Sequence, residues 1–182
     1  HMLSDASRAT IVRILRKTTF SPALIPGGFA EAVYTNAQPD LEFSYIKERS
    51  GFIKLAIEEK VDIIVTYSFG LNDMYHTLNW RRHERAKLAQ TTSLPLLWWW
   101  GAAGPVFGSP ICGNVPLTES VVVCTFDPFP TSQYTLDQVE QAHTDYMAYL
   151  KECFDSRKAE AGYGHKELYF IGKNTRPPLS RL

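Results

Sequence analysis

Neither sign of charge is in excess: nineteen basic residues are matched by nineteen acidic ones. A protein that gathers a polyanion through its overall field carries a basic surplus, so the composition argues against nucleic acid as a partner, and no local basic patch replaces the missing surplus. Cysteine is scarce. Cys112, Cys124 and Cys153 are odd in number and widely spaced, which fits neither a disulfide framework nor a zinc site. They read as reduced, packed thiols, and no metal is expected. No Asn-x-Ser/Thr acceptor occurs, and no charged segment followed by a long apolar run marks a secretory leader. Long apolar runs are absent too. The most apolar stretch, residues 94–106, is broken by Gly101, Gly104 and Pro105 and falls short of the ~20 residues that a membrane-spanning helix needs. There are no internal repeats.

What is present is ordinary globular material. The 182 residues are 45% hydrophobic and 13% aromatic, enough to bury one sizeable core. Residues 3–182 are expected to form one domain, with His1-Met2 a cloning remnant. Trp98, Trp99 and Trp100 beside Leu96 and Leu97 have the amphipathic aromatic character favoured at membrane interfaces. A buried aromatic cluster is the competing reading.

Residues 7–17 place Ile11, Val12, Ile14 and Leu15 at helical spacing, with arginines between them. Residues 23–25 read as a short buried strand ending in the turn Pro26-Gly27-Gly28, after which residues 29–33 start a helix. Phe52, Leu55 and Ala56 mark a further helix, and residues 61–67 form a β-branched run that reads as a buried strand. Residues 80–90 are polar and basic, and with the Gly-, Pro- and Trp-rich stretch up to residue 116 they are expected to form an irregular surface excursion. Residues 119–126 have strand character. A capping-box pattern at Thr135 and Gln138 opens a helix expected to reach Arg157, with Val139, Tyr146, Leu150 and Phe154 as its apolar stripe. Gly162 and Gly164 stop it, and residues 168–171 give a last strand. This alternation argues for an α/β layered domain with a small mixed sheet flanked by helices.

Three blocks carry a family resemblance. They are Ile25-Pro26-Gly27-Gly28-Phe29-Ala30-Glu31-Ala32, then Arg49-Ser50-Gly51-Phe52-Ile53-Lys54-Leu55-Ala56 with Tyr67-Ser68-Phe69-Gly70-Leu71-Asn72-Asp73-Met74-Tyr75, and His143-Thr144-Asp145-Tyr146 with Leu150, Phe154 and Lys158. In order and spacing they resemble the type 2 diacylglycerol acyltransferases and their monoacylglycerol and wax-ester relatives. The resemblance runs from Ser4 to Ile171 and implies a glycerolipid-acyltransferase-like fold. It also implies transfer of an acyl group from acyl-coenzyme A, a co-substrate rather than a cofactor, to a glyceride hydroxyl at the endoplasmic reticulum membrane. Diacylglycerol is the expected acceptor and triacylglycerol the product. The chain departs from the family pattern at Thr125-Phe126-Asp127-Pro128-Phe129-Pro130, where relatives carry Gly-Lys-Pro-Ile. The family's His-Pro-His-Gly motif does not occur in it. The expectation is therefore a C-terminal portion whose N-terminal part is missing. Such a portion should be inactive as a fragment and prone to self-association. The alternative is a catalytically silent lipid-binding or regulatory protein of the same fold.

Acyl transfer to an alcohol requires a base and donors aimed at the developing oxyanion. None of His76, His83, His143 and His165 begins the His-x-x-x-x-Asp arrangement of related acyltransferases, and His143 reads as a packing or solvent-facing helix residue. Pro26, Gly27 and Gly28 would let backbone approach an acceptor closely, and the resemblance makes Glu31 a supporting catalytic candidate. Arg49 and Lys54 suit coenzyme A phosphates, as do Arg81, Arg82, Arg85 and Lys87, although solvated surface explains them equally well. Asn72, Asp73 and Tyr75 follow a strand end, where α/β sheets bind ligands; an Asx turn is the competing reading.

Overall fold

The computed structural model describes residues 7–78, 80–92, 97–102, 115–117 and 120–175. Among the described residues five helices alternate with short strands. α1 (Arg8–Lys17) leads to the one-turn α2 (Gly28–Ala32), then β1 (Leu41–Ser44), α3 (Gly51–Glu59) and β2 (Ile63–Phe69). The 3-10 turn Leu71–Asp73 connects to β3 (His76–Thr77), α4 (Arg82–Thr92) and β4 (Trp99–Trp100), followed by β5 (Val122–Phe129), α5 (Val139–Arg157) and β6 (Glu167–Phe170). The mixed α/β character matches the expectation. Among the described residues, however, the strands do not join into one mixed sheet. They form three pairs: β1 with β6 in parallel, β2 with β5 antiparallel, and β3 with β4 antiparallel.

α5 forms where its signals place it. The Thr135 N–H donates to Gln138 Oε1 at 3.1 Å, capping the 3-10 turn Leu136–Gln138 that leads into α5, and Tyr146, Leu150 and Phe154, four residues apart, bury one stripe. They pack with Ile53 and Ile57 of α3 and with Val65, Phe69 and Phe129 of the β2–β5 pair. Removing the Phe154 ring would cost about 3–5 kcal/mol. A second cluster joins Ala30, Val33 and Tyr34, around α2, to Phe43 of β1 and Ala86 of α4. The β1–β6 pair stands between the two, with Leu168 in the first and Phe43 in the second, as a parallel pair covered on both faces requires.

Several elements differ from the sequence reading: β1, β3 and β4 carry no strand signal in it, and two of its own assignments change. Residues 23–25 are not a strand. Leu24 is exposed and Ile25 is 82% exposed, because Pro22 and Pro26 bracket the segment and neither supplies an N–H for a ladder. Residues 82–92, expected to be irregular, form α4. Its inward face is Arg82, Arg85, Ala86 and Ala89, a helical period carried by arginine and alanine and so invisible as a hydrophobic stripe. Much of the remaining expected excursion lies outside the described residues, as does Cys112.

Candidate functional site

A cavity of about 360 Å³ opens beside α2. Ile25, Gly28, Glu31 and Ala32 line it from α2 and the turn before it, and Leu71, Asn72 and Tyr75 from the segment after β2; Thr35, Thr77, Leu97 and Trp99 complete it. Its shell is therefore largely apolar with a few polar groups, the usual make-up of a small-molecule pocket.

The turn ahead of α2 is shaped around Glu31. Its Oε2 accepts hydrogen bonds from the Tyr45 N–H at 2.7 Å and the Ser44 hydroxyl at 3.1 Å. Burial pushes the carboxyl pKa up from the ordinary 4.5, and the bonds from Tyr45 and Ser44 and the charge of Arg49 recover only part of that shift. Arg49 reaches the same turn from behind: its guanidinium donates to the Pro26 carbonyl at 2.6 Å and lies over the Tyr45 ring at 5.5 Å. Pro26, Gly27, Gly28, Glu31 and Arg49 are thus brought together. Arg49 braces the turn rather than standing free for a phosphate. The Gly28 N–H bonds to Ile25 O at 3.3 Å, so it closes the turn instead of extending a strand end toward a ligand. Gly28 has φ +55°, a conformation that glycine adopts at little cost.

Asn72 rests on a buried ionic network that the sequence reading missed. Lys166 Nζ lies 2.9 Å from Glu42 Oε1 and 2.5 Å from Asp73 Oδ2, with the Glu42 and Lys166 side chains 3% and 4% exposed. The Asn72 amide donates to Glu42 Oε2, and the Tyr67 hydroxyl approaches the same oxygen at 3.5 Å. Burial alone would lower the Lys166 pKa, but its bonds to Asp73 and Glu42 outweigh that and leave it raised. Burial and the Glu42 and Glu31 charges hold the Tyr67 phenol neutral, with a pKa well above 10. Asn72 and Tyr75 line the cavity, whereas Asp73 turns to Lys166. One sequence signal marked Glu42: a carboxylate inside the otherwise apolar or small run Leu41, Phe43 and Ser44.

The remaining candidates scatter. Lys54 is exposed on α3 and is not part of the cavity wall. Arg82 and Arg85 are buried and grip backbone: Arg82 donates to Thr77 O at 3.2 Å and Thr77 Oγ1 at 3.0 Å, and Arg85 to Trp80 O at 2.8 Å and to Leu78 O. Burial and the neighbouring Arg85 lower the Arg82 pKa to about 10. These two fasten α4 to β3 and are not a solvated phosphate patch. The indoles divide: Trp98 is 59% exposed, Trp99 lines the cavity, and Trp100 is half-buried against the His76 ring at 5.9 Å. His143 is 3% exposed, packed edge-on against Phe52, and lies outside the cavity wall.

The model of the diacylglycerol acyltransferase family matches residues 1–170. The chain belongs to the diacylglycerol acyltransferase family. Among curated relatives, diacylglycerol O-acyltransferase 2 of Dictyostelium discoideum is 33% identical over 165 residues, covering 86% of this chain and 48% of that protein. The Xenopus tropicalis protein of the same name is 28% identical over 179 residues, covering 93% and 48%. The mouse 2-acylglycerol O-acyltransferase 1 is 28% identical over 158 residues, covering 81% and 45%. This family member thus spans about half the length of the curated relatives it matches. No solved structure matches it.

Proposed function

We propose that the cavity beside α2 binds the acyl acceptor of an acyl-coenzyme A-dependent glyceride acyltransferase, with diacylglycerol as acceptor and triacylglycerol as product. The observation that carries this reading is the cavity itself: a largely apolar shell of about 360 Å³ with Glu31 and Asn72 in its lining. That volume accommodates a glyceryl head and the first carbons of its chains. A carboxyl with a raised pKa suits a neutral alcohol better than a charged head group, because it stays uncharged further up the pH scale. Glu31 would hold the acceptor in a supporting role. Acyl-coenzyme A would be the co-substrate, with no resident cofactor. The exposed apolar residues of the lining, Ile25, Leu71 and Trp99, with the adjoining Trp98, would face the endoplasmic reticulum membrane.

The second reading, a catalytically silent lipid-binding protein, is favoured by one feature. None of the described histidines, His76, His83, His143 and His165, lines the cavity. A positioned base typically contributes ~10²–10⁴ in rate. Both readings predict that the 182-residue chain binds a glyceride without rapid transfer. Incubating it with labelled oleoyl-coenzyme A and dioleoylglycerol in detergent, beside the full-length Dictyostelium discoideum relative, tests the proposal. Glyceride binding with little or no triacylglycerol formed is expected. Transfer at the rate of the control would show that this chain holds its own base, and absence of glyceride binding would overturn the acceptor assignment.

A further inference from the structure

We propose that Asn72 reads the free hydroxyl of the acceptor, and that Lys166, acting through Glu42, is the positioning residue that orients it. The inference rests on the acceptor-cavity reading above and adds the group that distinguishes a glyceride with a hydroxyl from one without.

An asparagine amide has a donor end and an acceptor end, and its neighbours decide which faces where. At Asn72 the NH₂ end is engaged by the Glu42 carboxylate. Turning the amide over would set its carbonyl oxygen against that carboxylate, two acceptors with no proton between them. The network therefore leaves Oδ1 as the end available to a ligand in the cavity that Asn72 lines. Glu42 cannot swing aside, because its other oxygen is held by Lys166 at 2.9 Å. The turn is secured a second time by Asp73 on the same ammonium at 2.5 Å. Two consecutive residues of the Leu71–Asp73 turn are thus tied to β1 and to the residue just ahead of β6.

Stability is a weak reason for such a network, since desolvating a buried ion pair offsets most of its attraction. Orientation of a polar group is a better one. A hydroxyl can donate its proton to Asn72 Oδ1, which an ether cannot. A site built to bond a hydroxyl discriminates against a ligand that lacks it, because the site's polar groups are then left unpaired.

The probes are 1,2-dioleoylglycerol and its 3-O-methyl ether, which keeps both acyl chains and loses the hydroxyl proton. Each is titrated in mixed detergent micelles against the 182-residue chain, with tryptophan fluorescence as the readout because Trp99 lines the cavity. Wild type is expected to prefer the free hydroxyl by roughly three- to ten-fold, the worth of one hydrogen bond. Asn72→Ala and Lys166→Met should each abolish the preference, and the double variant should lose no more than either single one, since both changes act on one group. Should Lys166→Met fail to fold, Glu42→Gln removes the charge that orients the amide and is read in the same way. Equal binding of the two probes by wild type, or a preference intact in Asn72→Ala, overturns the inference while the acceptor reading stands. A Lys166→Met protein that melts earlier yet keeps the preference overturns its positioning role. Binding of neither probe overturns both the inference and the acceptor reading.

Discussion

Glu31 occupies the space that a side chain on Gly27 would need: a Cβ built on Gly27 would overlap Glu31 Oε2 and lie 2.6 Å from Glu31 Cβ. The pair explains why a glycine stands four residues ahead of the buried carboxyl, and it makes the turn and the cavity wall one unit. Gly27→Ala should push Glu31 off its bonds to Tyr45 and Ser44 and destabilise the chain by about 1–3 kcal/mol. Gly51 is the control. Nothing lies within 4 Å of a Cβ there, at the start of α3, so Gly51→Ala should be neutral or stabilising by about 0.4–1 kcal/mol. Urea melts of the two variants against wild type decide.

Glu31 should make stability depend on pH in a defined direction. Its folded pKa is raised above 4.5 by burial, so above pH 4.5 the folded chain holds a proton that the unfolded chain has released. The stability contributed by the protonated carboxyl is complete below about pH 4.5 and is lost as pH rises through the folded value. Glu31→Gln, which cannot ionise, should flatten that fall. Urea midpoints recorded from pH 4 to pH 8 check it, and parallel profiles for the two proteins would contradict the assignment.

His143 should act with the opposite slope. Burial lowers its pKa from 6.5, outweighing the Ile46 backbone hydrogen bond and the Glu140 charge. The unfolded chain therefore takes up a proton first as the solution is acidified. Stability from the neutral imidazole is present above pH 6.5 and is lost as pH falls through the folded value. His143→Phe, in a site already shared with Phe52, should reduce the acid sensitivity below pH 6.5. It should leave glyceride binding unchanged, because His143 is not part of the cavity wall. A loss of binding would return His143 to the list of site residues.

The rim of the cavity should associate with lipid surfaces. Trp99 shares the cavity lining with exposed Ile25 and Leu71, Trp98 beside it in the chain is exposed as well, and indoles favour the bilayer interface. Substituting Trp98, Trp99 and Trp100 by alanine should reduce co-sedimentation with phosphatidylcholine vesicles several-fold, mainly through the first two, since Trp100 is half-buried against His76. Equal sedimentation of folded wild type and triple variant would remove the membrane assignment.

Where chemistry is local, reading along the chain succeeded. α1, α3 and α5 announce themselves through apolar residues at helical spacing, and the cap at Thr135 and Gln138 is a contact three residues long. β2 and β5 show β-branched density, although both strands run on to later residues than their composition suggests, to Phe69 and Phe129. The turn Pro26-Gly27-Gly28 and the cavity-lining Glu31, Asn72 and Tyr75 came from family blocks, which carry site information that no single residue's physics supplies. What lay beyond reach is of another kind. α4 hides its period because its buried face is arginine and alanine, and those arginines are tolerated there only because carbonyls of Thr77, Leu78 and Trp80 come to meet them. Lys166 is 124 residues from Glu42 and 93 from Asp73. Nothing in the spacing of three charged residues says that they will share one buried site, because the free energy that makes a buried ammonium acceptable exists only once the chain has delivered both carboxylates to it.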